Sequence, residues 1–245
     1  MKERLDQVLV LQDLAKTRSQ AAHLIREGVV RVDGEILTKA GHKVNVDCQI
    51  ELARSTNVVG RGAYKLDQVI KDLAIQLNDL VIIDVGASTG GFTQICLREG
   101  AKKVYCVDVG TGQLDPLLLA NPRVVNLEGQ NIKELKKLDQ LADFAVVDLS
   151  FISLRQVLES IFDLLNPNSK TLVLFKPQFE IGKHKLPHDG VVKNELDLNQ
   201  CLDDFKIFCQ QCFINILGEQ ESSIKGKKGN REFFFILQKG SNRNE

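Results

Sequence analysis

The spacing of apolar residues changes character near residue 60. Before that point the apolar positions are sparse. Leu5, Val8, Leu9 and Leu11 give one face to a first short helix, and Ala21, Leu24 and Ile25 continue a second at helical spacing. Thr17-Arg18-Ser19-Gln20 precedes that second helix with the spacing of a capping box, and Gly28 supplies a residue suited to the left-handed conformation that ends it. Val29, Val30 and Val32 then face Ile36 and Leu37 across Asp33-Gly34, a dipeptide that suits a type I′ turn because both central residues need positive φ. A last strand around 44–52 is expected to close a small sheet. The pattern therefore predicts an α+β domain over residues 1–53, its module at 3–52, followed by a polar linker at 54–59 where the alternation lapses.

From residue 60 onward, apolar runs at 80–85, 103–108, 124–127, 144–148 and 171–175 alternate with amphipathic stretches, and a helix is expected after each of the first four. Val/Ile-rich strands separated by helices predict a parallel sheet covered on both faces. After a loop at 177–192, Leu198, Cys201, Leu202, Phe205, Phe208, Cys209 and Cys212 fall on one stripe of a long helix. Strands at 213–219 and 232–238 bring the sheet to seven. The expected fold of 60–245 is a doubly wound, mostly parallel α/β domain of Rossmann-like type.

Composition narrows the function. The chain has 245 residues, long enough to bury a sizeable core, and its 32 Lys and Arg balance 32 Asp and Glu. Zero net charge argues against coating nucleic acid by bulk electrostatics, so the local clusters matter: Arg18, Arg26, Arg31, Lys39 and Lys43; Arg54, Arg61, Lys65 and Lys71; Lys225, Lys227, Lys228 and Arg231. No apolar run reaches the roughly 20 residues of a membrane span. Six cysteines force no disulfides at this size, and the opening Met-Lys-Glu-Arg-Leu-Asp does not read as a secretory signal, so a reducing cytoplasm is the expected compartment. Cys209-Gln-Gln-Cys212 has the spacing of a metal or redox pair, but both residues lie on the expected core stripe. His184 and His188 sit in a loop without partners in fixed geometry, so no metal site is expected.

Strand one runs into a helix through Asp84-Val85-Gly86-Ala87-Ser88-Thr89-Gly90-Gly91-Phe92. Glycines let the backbone turn sharply and approach a ligand, and the helix start offers amide donors to an anion. A phosphate-cradling P-loop needs Lys where Phe92 stands, and a dinucleotide fingerprint needs Gly where Ser88 stands. S-adenosyl-L-methionine, with a carboxylate in place of a pyrophosphate, fits better. Asp108, ending strand two, would then accept from the ribose hydroxyls, and Asn131, after strand three, would contact adenine.

Four separated stretches can converge on one edge of this sheet: Gly62-Ala63-Tyr64-Lys65, Val147-Asp148-Leu149-Ser150, Phe175-Lys176-Pro177-Gln178 and Gly229-Asn230-Arg231-Glu232. Lys176, at the carboxyl end of strand five, is the candidate base for a ribose 2′-hydroxyl. Asp148 would orient the amine and hydroxyl, Lys65 supply a second positive charge, and Glu232 close the network. Lys65 is expected on the segment joining the domains, so that completing the site would depend on docking of the N-terminal module.

These residues carry two resemblances. Arg4-Leu5-Asp6, Ala15 to Ala21, Ile25 to Gly28 and Val30 to Gly34 resemble the RNA-binding domain named after ribosomal small-subunit protein S-four. That implies RNA backbone contacts by Arg4, Arg18, Arg26 and Arg31, to which Arg61 is added. Gly60 to Leu66, Asp84 to Phe92, Asp108 to Leu114, Asp148 to Leu154, Lys176 to Glu180 and Gly229 to Phe233 resemble the TlyA family, historically labelled hemolysins and similar to FtsJ-type ribose methyltransferases. The resemblance implies a class I methyltransferase domain and 2′-O-methylation of ribosomal RNA cytidines, in the large subunit, with the small subunit as a second candidate. It also implies a Lys65, Asp148, Lys176, Glu232 tetrad and S-adenosyl-L-methionine held by Asp84, Gly86, Ala87, Ser88, Thr89, Gly90, Gly91, Phe92, Asp108, Asn131 and Asp148. Loop 182–190 is less glycine-rich than the family pattern. The competing readings are a membrane-active protein and a non-catalytic ribosome assembly factor; target nucleotide and oligomeric state stay open.

Overall fold

Two compact units, Met1–Arg61 and Gly62–Glu245, divide the chain. A computed structural model describes residues 2–15, 17–26, 28, 30–52, 59–182 and 184–240, and only the backbone of Ser19, His23 and Arg61. Most of the expected linker, and the Arg61 side chain, lie outside the described residues.

In the small unit, β1 (Lys2–Arg4) leads directly into α1 (Leu5–Leu11), followed by α2 (Arg18–Arg26), β2 (Val30–Val32), β3 (Glu35–Ile36), β4 (Lys43–Asn45) and β5 (Ile50–Leu52). Leu5, Val8, Leu9, Ala21, Ile25 and Val30 are wholly buried in its core, whereas Leu11, expected on the same face, is exposed. The Thr17 hydroxyl accepts from Gln20 N–H at 3.1 Å and caps α2. Asp33 and Gly34 have φ of 49° and 87°, the two positive values of the expected turn. The single strand expected at 44–52 is two: β4 pairs with β1 and β5 with β2. Polar Asp47 and Gln49 and the Asn45-to-Cys48 turn break the run and send its ends to different sheets.

The large unit contains α3 (Arg61–Asp72), β6 (Val81–Val85), α4 (Gly91–Arg98), β7 (Lys103–Asp108), α5 (Pro116–Leu119), β8 (Val124–Glu128), β9 (Ala142–Val147), α6 (Leu158–Phe162), β10 (Leu165–Phe175), α7 (Pro177–Glu180), α8 (Glu195–Gln211), β11 (Ile214–Glu221) and β12 (Phe233–Lys239). Its seven-stranded sheet runs β11-β12-β10-β9-β6-β7-β8, with β12 antiparallel to both neighbours and the remaining pairs parallel. No helix follows β8. Residues 132–134 make only a turn, capped by Asn131, whose Oδ1 accepts from Lys133 N–H at 3.1 Å. On α8, Phe205 packs on Phe175 and Phe235 at ring separations of 4.8 and 5.2 Å. Cys209 is buried on that face, but Cys212 is exposed, because α8 ends at Gln211 and the chain turns away.

Register sets the functional edge. Val85 pairs with Val147, Val147 with Val173, and Phe175 with Phe233. The residues next beyond these strand ends are Gly86, Asp148, Lys176 and, entering β12 from the opposite direction, Glu232.

Candidate active site

Within the large unit, two buried lysines each meet a carboxylate. Lys65 projects from α3, a helix anchored by the fully buried Ala63 and Leu66, and its Nζ donates to Glu232 Oε2 at 2.6 Å. Lys65 thus belongs to the large unit's own first helix and reaches its partner inside that unit, which corrects the expectation of a linker residue waiting on the small unit. Lys176 Nζ lies 2.5 Å from Asp148 Oδ1 and donates to Ser150 Oγ at 3.0 Å. The contact with Asp148 is a close ion pair between two side chains with little exposure. Gln178 Nε2 approaches Glu232 Oε1 at 3.5 Å, while its own Oε1 is buried and unpartnered. Phe92 and Asp148 flank Gly62, each 3.5 Å from where a Cβ would lie, so the loop, α3 and the β9 end converge.

The glycine-rich loop is built for close approach. Gly86 has φ +87°, and a Cβ there would come within 2.6 Å of the Asp148 carbonyl oxygen. Gly90, at φ +93°, is roofed by Leu114 and Leu118, leaving no room for a side chain. Ser88 also takes a positive φ of 50°. Gly90 begins α4 without a side-chain cap; the Thr93 amide is engaged by Asp84, and the Gly91 and Phe92 amides are the first-turn donors left for an anion. Asp108 receives Ser88 N–H at 2.8 Å and Gly110 N–H at 2.7 Å, yet stays partly exposed with acceptor capacity to spare.

Other expected contacts fall differently. Asp84 has no exposed surface; its Oδ2 accepts from Thr93 Oγ1 at 2.6 Å, which ties the end of β6 to the first turn of α4. Burial, with the Asp148 and Asp108 charges nearby, pushes its carboxyl up to about 7 against the hydrogen bond from Thr93. Phe92 and Ala87 are buried, Phe92 facing Phe234 at 6.5 Å. Asn131 spends its side chain on the turn it caps. In the small unit, Arg4 and Arg18 converge on buried Asp6 at 2.9 and 3.0 Å and hold its carboxylate below the usual range, Arg4 most strongly. Among the described residues Arg26 and Arg31 donate to the carbonyls of Ala22 and Gly34, and both are exposed.

Several supporting residues had no distinct sequence signal beyond standing beside a motif. Glu180 accepts from Ser153 Oγ at 2.6 Å and Leu154 N–H at 2.7 Å, tying the loop after Asp148 to the helix after Lys176. Burial pushes its carboxyl up. Glu128 receives Gln113 and Leu114 N–H at 2.6 and 3.0 Å and fixes the loop beyond Asp108. Phe151, with φ +68°, is 91% exposed at this rim, 5.1 Å from the Phe179 ring. The described residues contain no cluster of metal-ligating side chains, and none of their helices is long and apolar enough to cross a membrane.

Comparison with known proteins agrees with this arrangement. Residues 58–239 match the FtsJ-like methyltransferase family and residues 3–50 the S4 domain. YqxC of Bacillus subtilis, provisionally named an rRNA methyltransferase, is 37% identical over 96% of this chain and 85% of its own length. The 16S/23S rRNA (cytidine-2'-O)-methyltransferase TlyA of Mycobacterium tuberculosis is 36% identical over 98% of this chain and 91% of its own. A solved chain from Streptococcus thermophilus with a provisional hemolysin name superposes with a TM-score of 0.76 at 34% identity, over 98% of this chain and 90% of that one. Sheet order, loop and near-full-length similarity together place the chain in the FtsJ-like methyltransferase family, on its TlyA branch.

Proposed function

We propose that the protein is an S-adenosyl-L-methionine-dependent ribose 2′-O-methyltransferase of ribosomal RNA, acting on a cytidine of the large subunit. The observation that carries the proposal is the pair of buried lysine–carboxylate contacts, Lys65 with Glu232 and Lys176 with Asp148, at the sheet edge that also bears the glycine-rich loop.

The loop fits the cofactor on chemical grounds: a sharp glycine turn that leads straight into the start of α4, a helix start without a side-chain cap for its carboxylate, and a partly exposed Asp108 for its ribose hydroxyls. When bound there, S-adenosyl-L-methionine supplies an electrophilic methyl group on sulfur. The protein's task is to present and deprotonate an alcohol. Lys176, placed against Asp148 and Ser150, is the group positioned to take the 2′-hydroxyl proton as the hydroxyl oxygen takes the methyl group and the sulfur leaves as a thioether. Asp148, in contact with the Lys176 amine, orients that amine toward the hydroxyl. Lys65, fixed by Glu232, holds a positive charge beside the developing alkoxide. Phe151 offers an exposed ring for a neighbouring base, and the small unit's arginines supply backbone contacts.

The test is mapping of 2′-O-methyl groups on ribosomal RNA from cells with and without the protein, repeated with Lys176→Ala. Loss of one cytidine methyl in both the deletion and the substituted strain is expected. Calorimetry should show S-adenosylhomocysteine binding unchanged by Lys176→Ala. An unchanged methylation map would sink the reading, and turnover retained by Lys176→Ala would remove Lys176 as base.

A further inference from the structure

Three exposed lysines, Lys225, Lys227 and Lys228, stand on the turn that joins β11 to β12 and have no part in the chemistry above. The turn is closed by Gly226 N–H to the Asn230 carbonyl and Gly229 N–H to the Gly226 carbonyl, each 2.8 Å. Buried Asn230 anchors it: the side-chain oxygen accepts from Val192 N–H at 2.9 Å, and the amide donates to the Gly190 carbonyl at 2.9 Å. Two neighbouring charged groups are paired with other residues. Arg231 is held by Glu221 and Glu195 at 2.7 and 2.9 Å, and the Asp189 carboxylate by Lys193 at 2.6 Å. Among the described residues Lys228 donates to the backbone carbonyl of Asp189 at 3.3 Å, while Lys225 contributes to the field that lowers Glu221.

This basic turn starts at the catalytic rim. Gly226 has no space for a Cβ because the Glu232 carboxylate occupies it. A ribose whose 2′-hydroxyl reaches Lys176 carries its 3′-phosphodiester on the adjacent carbon, so backbone phosphates flank the rim that this turn shares through Glu232. Lysines read such a backbone as charge, without sequence information.

We propose that Lys225, Lys227 and Lys228 form a phosphate-binding arm of the large unit that grips the RNA backbone flanking the methylated ribose. The proposal rests on the ribose-methylation reading above. It assigns the large unit an RNA contact of its own, separate from the arginines of the small unit.

The experiment compares the full chain, the K225A/K227A/K228A variant and a K239A control. Lys239 is an exposed lysine at the opposite end of β12, paired with Asp163 at 3.5 Å. Methyl transfer from labelled cofactor to unmodified large ribosomal subunits is measured as kcat and KM from about 50 to 200 mM salt. The triple variant should raise KM about tenfold or more at the upper salt with kcat within about twofold. The slope of log(kcat/KM) against log salt should fall by about one for each lysine lost, with K239A unchanged. Unchanged KM and slope in the triple variant overturn the arm while leaving ribose methylation standing. An equal effect of K239A, scaled per charge, also overturns it, since net charge then accounts for the loss. A wild-type protein that methylates no RNA brings down the underlying reading and the arm with it. If the triple variant fails to fold by circular dichroism, Lys227→Glu alone replaces it: a raised KM and altered salt slope support the arm, and unchanged values overturn it.

Discussion

Removing either partner of the Lys65–Glu232 pair should cost far more than removing both. Their side chains are 10% and 3% exposed, so each charge is stripped of water and compensated mainly by the other across 2.6 Å. Lys65→Met strands a carboxylate that the Gln178 amide approaches no nearer than 3.5 Å, and a loss of about 3–5 kcal/mol is expected. Glu232→Gln keeps the shape and one acceptor for the ammonium, for about 2–3 kcal/mol. The double variant buries no charge and should lose about 1 kcal/mol, a coupling of several kcal/mol. Urea unfolding followed by tyrosine fluorescence isolates the relevant unit, because the chain has no Trp and its two tyrosines, Tyr64 and Tyr105, both lie in the large unit. The same samples assayed for methyl transfer separate structure from chemistry: both singles and the double should be inactive, although the double is nearly as stable as wild type. Single substitutions costing under about 1 kcal/mol, the range of exposed pairs, would refute the desolvation argument. A stable double variant that still turns over would assign the pair to packing alone.

Three further outcomes follow from the same geometry. Asp84 has its folded-state carboxyl raised from 3.8 to about 7, so its contribution to stability is full below about pH 3.8 and is lost as pH rises through about 7. Asp84→Asn should therefore gain stability relative to wild type between pH 5 and pH 8, by a share of a total on the order of 4 kcal/mol; equal differences at both values in urea unfolding would contradict a protonated Asp84. Gly86→Ala meets a positive φ and the Asp148 carbonyl 2.6 Å from its Cβ, so unfolding should show a loss of about 2 kcal/mol or more, and kcat should fall as Asp148 is displaced. Glu180→Ala orphans Leu154 N–H and the Ser153 hydroxyl, which should cost about 2–3 kcal/mol in the same unfolding assay and lower kcat, with Glu180→Gln recovering most of both.

The sheet was legible because burial on both faces writes itself as continuous apolar runs: β6, β7, β9 and β10 stand where Val, Ile, Leu and Phe cluster. The turn at Asp33-Gly34 was legible because few residues accept two positive φ values in succession. Polarity alone misled where it had no burial to report. Ile132 to Leu138 alternates apolar and charged residues as a helix would, yet it forms only a turn, since Ile132 alone is fully buried and Asn131 caps no more than one turn. The four candidate residues could be named singly, but their pairing depends on strand order, which the pattern does not encode. Glu232 comes beside Lys176 because β12 enters antiparallel to β10 with Phe233 opposite Phe175, and a parallel entry would have carried Glu232 to the far edge of the sheet. Lys65 meets Glu232 across 167 positions of sequence for the same reason. Helices and strands report which face is buried, whereas the partners of charged residues at their ends are fixed only once the topology is closed. The supporting carboxylates Glu128 and Glu180 illustrate this: each sits beside a recognisable motif, and each holds a loop that the motif itself does not contain.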